Sequence, residues 1–450
     1  QPVGLRAKGL RGRAHLRQQG LLVHQGVLRL LPLGGSSARH RSHGAGAQQR
    51  VRGRARDGGL RLLLLGLLLL VVLVLVVLVL VALLLLLLLL LLMAAAAVTA
   101  LDNVSKKGTF ERTPSTFVHT VGGEDGRFPA EVGRYHLYVA LACPWAAGTL
   151  AALHVKGLTT CIGVSVVHPT WQRTREDPSD AHCGWVFRKP GDPPLSNSLG
   201  FGSFGCDAAL VPDACNGCGS MRDLYELDPA WGGAGGPQKP TTPVLWDTKE
   251  KAIVNNESLD IIRILNDCFN KWAEHPEVDL FPPDLMEEAK RVFEWVYPNI
   301  NNGVYRCGFA QSQDAYDEAV TDLFSALDKA EALLKTRRYI LGDRFTYMDL
   351  RLYSTLVRFD EIYVVYFKCN KGSIEKDYPT LFNYTRDIHQ TPGVAAATNM
   401  KHCKMHYFTS HPSLNRFGII PAGRAVDWSA PHNRGQIETR QAEGTACSMQ

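Results

Sequence analysis

Tyr135–Leu153, YHLYVALACPWAAGTLAAL, is the stretch whose reading decides the fold. Tyr135 to Ala142 is an apolar, partly alternating run with the pattern of a buried strand. Ala146 to Leu153 has the composition of a helix, and Pro144 suits a first helical turn, where its missing N–H is no loss. Cys143 therefore falls at a strand-to-helix junction. Unpaired backbone N–H groups and the dipole at a helix start favour a thiolate, which raises the fraction of thiol able to attack at neutral pH. A buried structural cysteine ahead of a proline-started helix fits the same local pattern, so both readings stand at this point.

Working outward, Thr160–His168 (TCIGVSVVH) is a β-branched apolar run ending at Pro169 and predicts a second buried strand. Strand, helix, strand in that order implies parallel pairing through a crossover helix. Thr241–Asp247 (TTPVLWD) predicts a third strand and Ala252–Val254 a fourth, with a turn at Lys249–Lys251. Pro243 cannot donate to a ladder, and an X-Pro bond can be cis. A cis bond would turn the Thr242 backbone outward to pair with an extended, peptide-like ligand; an ordinary proline at a strand entry is the alternative. Glu257 and Ser258 precede the amphipathic run Leu259–Phe269. At a helix start Ser258 suits a ligand carboxylate and Glu257 a ligand ammonium, although capping alone explains Asn256 or Ser258 equally well.

The rest of the 450 residues divides by composition. Residues 1–92 carry 13 Lys plus Arg against the single acid Asp57, and residues 93–450 carry the other 36 bases against 42 acids, so the halves are +12 and −6. The second part has no sustained basic stripe, which argues against nucleic-acid binding. Leu62–Val98 runs 37 residues without a polar side chain. We expect residues 1–92 to be a low-complexity leader upstream of a true start at Met93, with a membrane anchor or a targeting segment as alternatives. Eleven irregularly spaced cysteines make no disulfide scaffold and point to a reducing compartment.

Gly108–Ala130 reads as a polar arm anchored by Phe110, Phe117 and Phe128. Gly184–Gly236 is rich in Gly, Pro, Ser and Asp and reads as an exposed insertion loop. Its Cys206, Cys215 and Cys218 include a CxxC spacing, but no second CxxC accompanies it; Cys183 or His182 would have to complete a zinc site, and incidental cysteines are the preferred reading. From Leu285 onward the pattern is helical, with Met286–Tyr297, Ala315–Lys335, Tyr347–Phe359 and Tyr378–Gln390 at three-and-four spacing. Thr346 and Asp349 form a capping-box variant. The tyrosines of this half, Tyr305, Tyr353, Tyr363, Tyr366 and Tyr407, are core by default.

Cys-Pro-x-x at a strand-to-helix junction resembles the one-cysteine version of a thioredoxin-type site. From about Gly108 to Arg434 the chain further resembles the glutathionyl-hydroquinone reductases, Xi-class relatives of the glutathione transferases. The resemblance is carried by RYHLYVALACPWA (Arg134–Ala146), IGVSVVHP (Ile162–Pro169), TPVLWD (Thr242–Asp247) and IVNNES (Ile253–Ser258). It continues in GVYRCGFA (Gly303–Ala310), RYILGD (Arg338–Asp343), LVRFDEIYVVYFKCN (Leu356–Asn370), DYPTL (Asp377–Leu381) and HYFTSHPSLN (His406–Asn415).

The resemblance implies an α/β plus all-α architecture. A thioredoxin-like domain at 93–270, with an insertion near 189–220, would precede a helical substrate and dimerisation domain at 271–435 and a flexible tail at 436–450. It implies Cys143 as the catalytic thiol, with Tyr305 and Tyr407 facing the quinol. Trp145, Trp185, Lys239, Thr242, Pro243, Glu257 and Ser258 would hold glutathione, which acts as co-substrate, with no metal and no tightly bound cofactor. It also implies a homodimer. The expected compartment is the cytoplasm; plastid, mitochondrion or membrane attachment would follow only from a genuine leader. Three departures stand out: Lys239 where the family usually has arginine, Ala147-Gly148 where it commonly has His-Arg, and a longer insertion from about Lys189 to Ser220. Lysine keeps the charge but not the planar fork.

The expected activity is reduction of glutathionyl-hydroquinones through a Cys143 mixed disulfide. A general thiol transferase, a dehydroascorbate reductase and a non-catalytic glutathione-binding protein are the alternatives.

Overall fold

The structure, a computed structural model, describes residues 49–94 and 105–437 except 106, 113, 124–125 and 233–238, with side chains in the first segment described for 62–85. The chain divides into two compact units, residues 1–85 and 86–450. Helix α1, Gln49–Ala94, carries the apolar run as far as Ala94, and Leu62–Leu85 is long and apolar enough to cross a membrane by length and composition alone, a test that signal sequences also pass. The expectations for residues 1–48 and for most of the 436–450 tail lie outside the described residues.

In the second unit, β1 (Tyr135–Val139) lies between β2 (Gly163–Val166) and β5 (Val244–Asp247), and β6 (Ala252–Asn255) is the far edge. β1 and β2 are parallel, as the crossover predicts, while β1–β5 and β5–β6 are antiparallel. A separate short pair joins β3 (Gln172–Arg173) to β4 (Cys183–Gly184). β1 is shorter than the apolar run because the chain turns before Cys143, whose N–H donates to Ala140 O at 3.0 Å. The crossover helix α2 (Pro144–Val155) packs against α4 (Ser258–Asp267).

β1 is buried on both faces, and its side chains divide by parity as a strand's must. Tyr135, Leu137 and Val139 join a core with Leu150, Leu153, Ile261 and Leu265 that continues into the helical half. Tyr138, with Ala140 and Ala142 beyond the strand, enters a second core with Trp185, Phe187, Leu224, Tyr225 and Trp246. Within the Gly184–Gly236 segment, residues 189–219 form no helix or named strand and are mostly exposed or half-buried, as the composition predicts, but the two flanks are buried at Trp185, Val186 and Phe187 and at Met221, Leu224 and Tyr225. The second flank is helix α3 (Met221–Leu227), capped by Ser220, and together the flanks cover the sheet's other face. Each large apolar side chain withdrawn from water there contributes roughly 1.5–3 kcal/mol, enough to order a segment with little periodicity. The arm also packs: Phe110, Phe117 and Phe128 are buried, and Val118 bridges to Asn255.

The helical half comprises α5 (Met286–Val296), α6 (Gly303–Phe309), α7 (Gln313–Leu334), α8 (Tyr347–Arg358), α9 (Val364–Tyr366), α10 (Ile374–Asp377), α11 (Pro379–Gln390) and α12 (Met400–Thr409). The four runs predicted by spacing appear with each end within two residues of the expected one. Wider turns at Tyr297–Asn301 and Phe359–Tyr363 follow α5 and α8. The capping box at α8 is present: Thr346 N–H donates to Asp349 Oδ2 at 2.8 Å. Asp349 also accepts from Ile340 N–H and the Tyr384 hydroxyl, and burial pushes its pKa up to about 6. That cap fixes where α8 starts, and α8 packs against α2.

Candidate active site

Cys143 is the N-cap of α2 with extended backbone (φ −76°, ψ 121°), and Pro144 occupies the first turn as its fixed φ requires. Its Sγ donates to Thr242 O at 3.5 Å across the sheet end. The Thr242–Pro243 bond is cis, the conformation anticipated for an outward-turned Thr242.

Beside them α4 begins, and its cap is Glu257 rather than Asn256 or Ser258. Glu257 Oε1 accepts from Leu259 N–H at 3.4 Å and the Ser258 hydroxyl at 3.3 Å, while Oε2 accepts from the Ser115 hydroxyl of the arm at 3.0 Å. Asn256 is committed elsewhere, accepting from Phe117 N–H at 3.2 Å and donating to the Tyr225 hydroxyl at 3.1 Å. Glu257 and Ser258 line the cleft, so it offers a carboxyl group to a ligand cation and the N-terminus of α4 to a ligand anion.

The facing wall is aromatic. The Trp145 ring lies 5.0 Å from that of Tyr305, and the Arg112 guanidinium lies 3.9 Å from the Trp145 ring centroid. Trp185 stacks on His406 at 4.4 Å and meets Trp171 edge-on at 5.6 Å. Tyr305 and Tyr407 share a 2.5 Å hydrogen bond, and Tyr407 shares another of 3.1 Å with Tyr363, making a chain of three buried hydroxyls. Burial raises the pKa of Tyr305 and Tyr407 well above 10, and that of Tyr363 to about 12, where the nearby Arg358 charge opposes the rise. His411 Nδ1 bonds the Tyr366 hydroxyl at 2.9 Å. Burial pushes His411 down to about 4 and His406 well below its ordinary value, so both are neutral imidazoles at pH 7.

One cleft brings together all the predicted site residues: Cys143, Trp145, Trp185, Lys239, Thr242, Pro243, Glu257, Ser258, Tyr305 and Tyr407. It encloses about 1240 Å³, part of it open to solvent. Phe110, Arg112, Ser115, Trp171, Tyr297, Phe309, His182, His406 and His411 also line it, and sequence reasoning named none of them for the site. His406 and His411 lie inside the HYFTSHPSLN motif, whose density was the available signal.

The cysteine group of the 183–227 segment has a different use. Asp213 accepts from the N–H groups of Cys215, Asn216 and Cys218 and from the Tyr138 hydroxyl, so the CxxC turn wraps a carboxylate. Burial and that carboxylate push the Cys218 thiol up to about 12, the reverse of what a nucleophile needs. Among the described residues no three His, Cys, Asp or Glu side chains are grouped as a metal site.

A sheet of this topology ending in a cysteine-capped helix, followed by a helical half that closes a cleft over it, defines a glutathione transferase. Models of the glutathione S-transferase N-terminal and C-terminal domains match residues 142–268 and 313–387. Glutathionyl-hydroquinone reductase YqjG of Escherichia coli K12 is 39% identical over 344 residues, covering 75% of this chain and 95% of that protein. PcpF of Sphingobium chlorophenolicum, of the same description, is 41% identical over 325 residues, covering 72% and 92%. The crystal structure of the Xi-class transferase of Phanerochaete chrysosporium superposes with a TM-score of 0.62 at 37% identity, covering 73% of this chain and 97% of that one. The glutathione-bound structure of Escherichia coli YqjG does so at 0.61 and 39%, covering 71% and 96%. The chain belongs to the glutathionyl-hydroquinone reductases, the Xi class of the glutathione transferases.

Proposed function

We propose that the protein reduces glutathionyl-hydroquinones to hydroquinones at the expense of glutathione, with Cys143 as nucleophile. The Cys143 thiolate attacks the glutathionyl sulfur, an S–S bond forms, and the bond from sulfur to the aromatic carbon breaks. That carbon needs a proton, which the Tyr305–Tyr407 pair delivers. The hydroquinone leaves, and the thiolate of free glutathione attacks the mixed disulfide, giving oxidised glutathione and restoring the Cys143 thiolate. Two electrons pass from two glutathione sulfurs to the aromatic carbon. No second cysteine takes part, in keeping with Ala146 after Pro144-Trp145.

The observation that carries this reading is that one cleft is lined by both a thiol and a buried hydroxyl chain. A thiol transferase working on S–S bonds needs only the thiol; the proton source is what a C–S substrate demands. Thr242 would pair with the glutathionyl backbone and Ser258 with a carboxylate, while Glu257 holds the ammonium. Trp145, Trp185 and Lys239 line the remainder, and Pro243 sets the turn at Thr242. The enzyme works as a homodimer in a reducing compartment, the cytoplasm, in keeping with the free thiols of all its described cysteines.

The test is release of hydroquinone from a glutathionyl-hydroquinone in the presence of glutathione. Cys143→Ser should lower that rate at least about a thousandfold, and should no longer gain one glutathione by intact mass after exposure to oxidised glutathione. Full activity in that variant would refute the mechanism.

A further inference from the structure

Donating a proton from a hydroxyl chain leaves a negative charge behind, and burial disfavours that charge at all three tyrosines. A cation placed in the same dry interior would offset it. Arg358, the last residue of α8, is fully buried, and among the described residues no carboxylate lies within ion-pairing distance of it. One guanidinium nitrogen donates to Ser354 O at 2.7 Å, another to Leu141 O at 3.2 Å, and Nε has no partner. The Cys403 thiol donates to the same Leu141 carbonyl at 3.5 Å, which sets it beside the guanidinium; Tyr407 follows one turn later on α12. Tyr363 lies just beyond Arg358 in the turn that ends α8. Among the described residues the guanidinium is thus a buried charge with no carboxylate paired to it, next to the inner end of the hydroxyl chain. Burial works against its ionisation, yet Cys403, Tyr363, Tyr407 and Tyr353 around it outweigh that and raise its pKa, and for Tyr363 Arg358 is the largest influence opposing burial.

We propose that Arg358 is the counter-ion of the proton-donating chain: when the aromatic carbon takes its proton, the deficit passes inward and rests as a tyrosinate at Tyr363, beside the guanidinium. The outermost hydroxyl gives its proton to the carbon and takes one from its neighbour, and the last transfer leaves Tyr363 anionic. A proton from solvent, entering through the cleft after the hydroquinone leaves, restores the chain. Arg358 touches neither substrate nor reacting atoms; it is a positioning residue acting through Tyr363.

The proposal rests on the reading of the site as a C–S reductase. The experiment compares, for each protein, the rate on a glutathionyl-hydroquinone with the rate of glutathione-dependent reduction of a small mixed disulfide, which needs no proton on carbon. The ratio of the two is insensitive to how much of a variant is folded. Arg358→Gln should lower the ratio tenfold or more, roughly up to a hundredfold, and Arg358→Lys should restore most of it. Adding Tyr363→Phe to Arg358→Gln should lower it no further than the worse single change. An unchanged ratio in Arg358→Gln, equal losses in Arg358→Lys and Arg358→Gln, or full additivity would overturn the proposal. A wild-type protein active on the disulfide and inactive on the conjugate would instead overturn the function on which it rests.

Discussion

The two walls of the cleft are built by opposite strategies. The wall proposed to hold glutathione, the glutathione wall, is made of chain ends: the cap of α2 at Cys143, the strand entry at Thr242-Pro243 and the cap of α4 at Glu257, each close in sequence to the element that positions it. The wall proposed to face the quinol, the quinol wall, is made of side chains from separate segments, with Tyr305 on α6, Tyr363 in the turn after α8 and Tyr407 on α12, meeting hydroxyl to hydroxyl. Backbone groups and one carboxylate suit a ligand of fixed, peptide-like chemistry. Rings and neutral imidazoles suit a flat aromatic ligand and can hold a proton out of water. In the proposed reaction the glutathione wall would recognise what all substrates share, and the quinol wall would decide which bond can be cleaved.

Changing one group on each wall tests that division. Tyr407→Phe removes the middle of the hydroxyl chain and should cut turnover of a glutathionyl-hydroquinone about a hundredfold, the scale of lost general-acid catalysis, while disulfide reduction persists. Glu257→Gln should instead raise KM for glutathione about tenfold in both reactions, because it weakens a charge-assisted contact common to both. Steady-state kinetics with both substrates on both variants decides the matter. If Tyr407→Phe depressed the two reactions alike, the walls would not be functionally distinct.

The walls should also differ in acid sensitivity. His411 titrates near 4 in the folded protein because burial disfavours its charge, against about 6.5 in an unfolded chain. Between those values the unfolded chain binds more protons than the folded one, so stability rises with pH and is lost on acidification. For His411 alone that loss is about 2 kcal/mol between pH 7 and 5. His411→Gln, which can still hydrogen-bond the Tyr366 hydroxyl, should narrow its stability deficit against wild type by about that amount over the same range. Denaturant unfolding of both proteins at the two pH values measures it, and parallel slopes would count against a neutral, buried imidazole in the quinol wall.

The same contrast governs what could be read from the sequence. The junction at Cys143, the strand entry at Pro243 and the helix start after Asn256 are local events, each signalled by a proline, a cap residue or a change of period within a few positions. From sequence the cap at α4 reads as Asn256 or Ser258, because both are favoured cap residues and a glutamate is not. The arm settled the assignment: Phe117 takes Asn256, and Ser115 reaches Glu257. Tyr363 and Arg358 carry no such signal, since a tyrosine and an arginine in an apolar helical run read as core and as surface. Their roles arise only where the turn after α8 meets α12, and the family resemblance could name Tyr305 and Tyr407 without revealing the third hydroxyl. The burial of Trp185, Phe187 and Leu224 against the sheet was missed for a related reason. They cover one face of the sheet from scattered positions with no period, and the intervening Gly and Pro dominate the composition.

Gly148 lies where the two walls share a support, on α2 between α4 and α8, and it offers the smallest test. In a helix interior glycine is disfavoured by roughly 1 kcal/mol relative to alanine, because the unfolded chain has more freedom to lose. A side chain at this position has room: a Cβ would stand 3.6 Å from Ser354 Oγ and 3.9 Å from Ile262 Cδ1, ordinary contact distances. Next to it is a cavity of about 330 Å³ including its opening, lined by Trp145, Ser258, Arg351 and Ser354 among others. Gly148→Ala should therefore stabilise the protein by about 0.5–1 kcal/mol without moving α2 against either wall. Thermal unfolding should shift upward by roughly 2 °C, and both kinetic constants should hold for both substrates. A drop in stability would mean that the space beside Gly148 is already filled, and a change confined to one reaction would mean that α2 spaces one wall more tightly than the other.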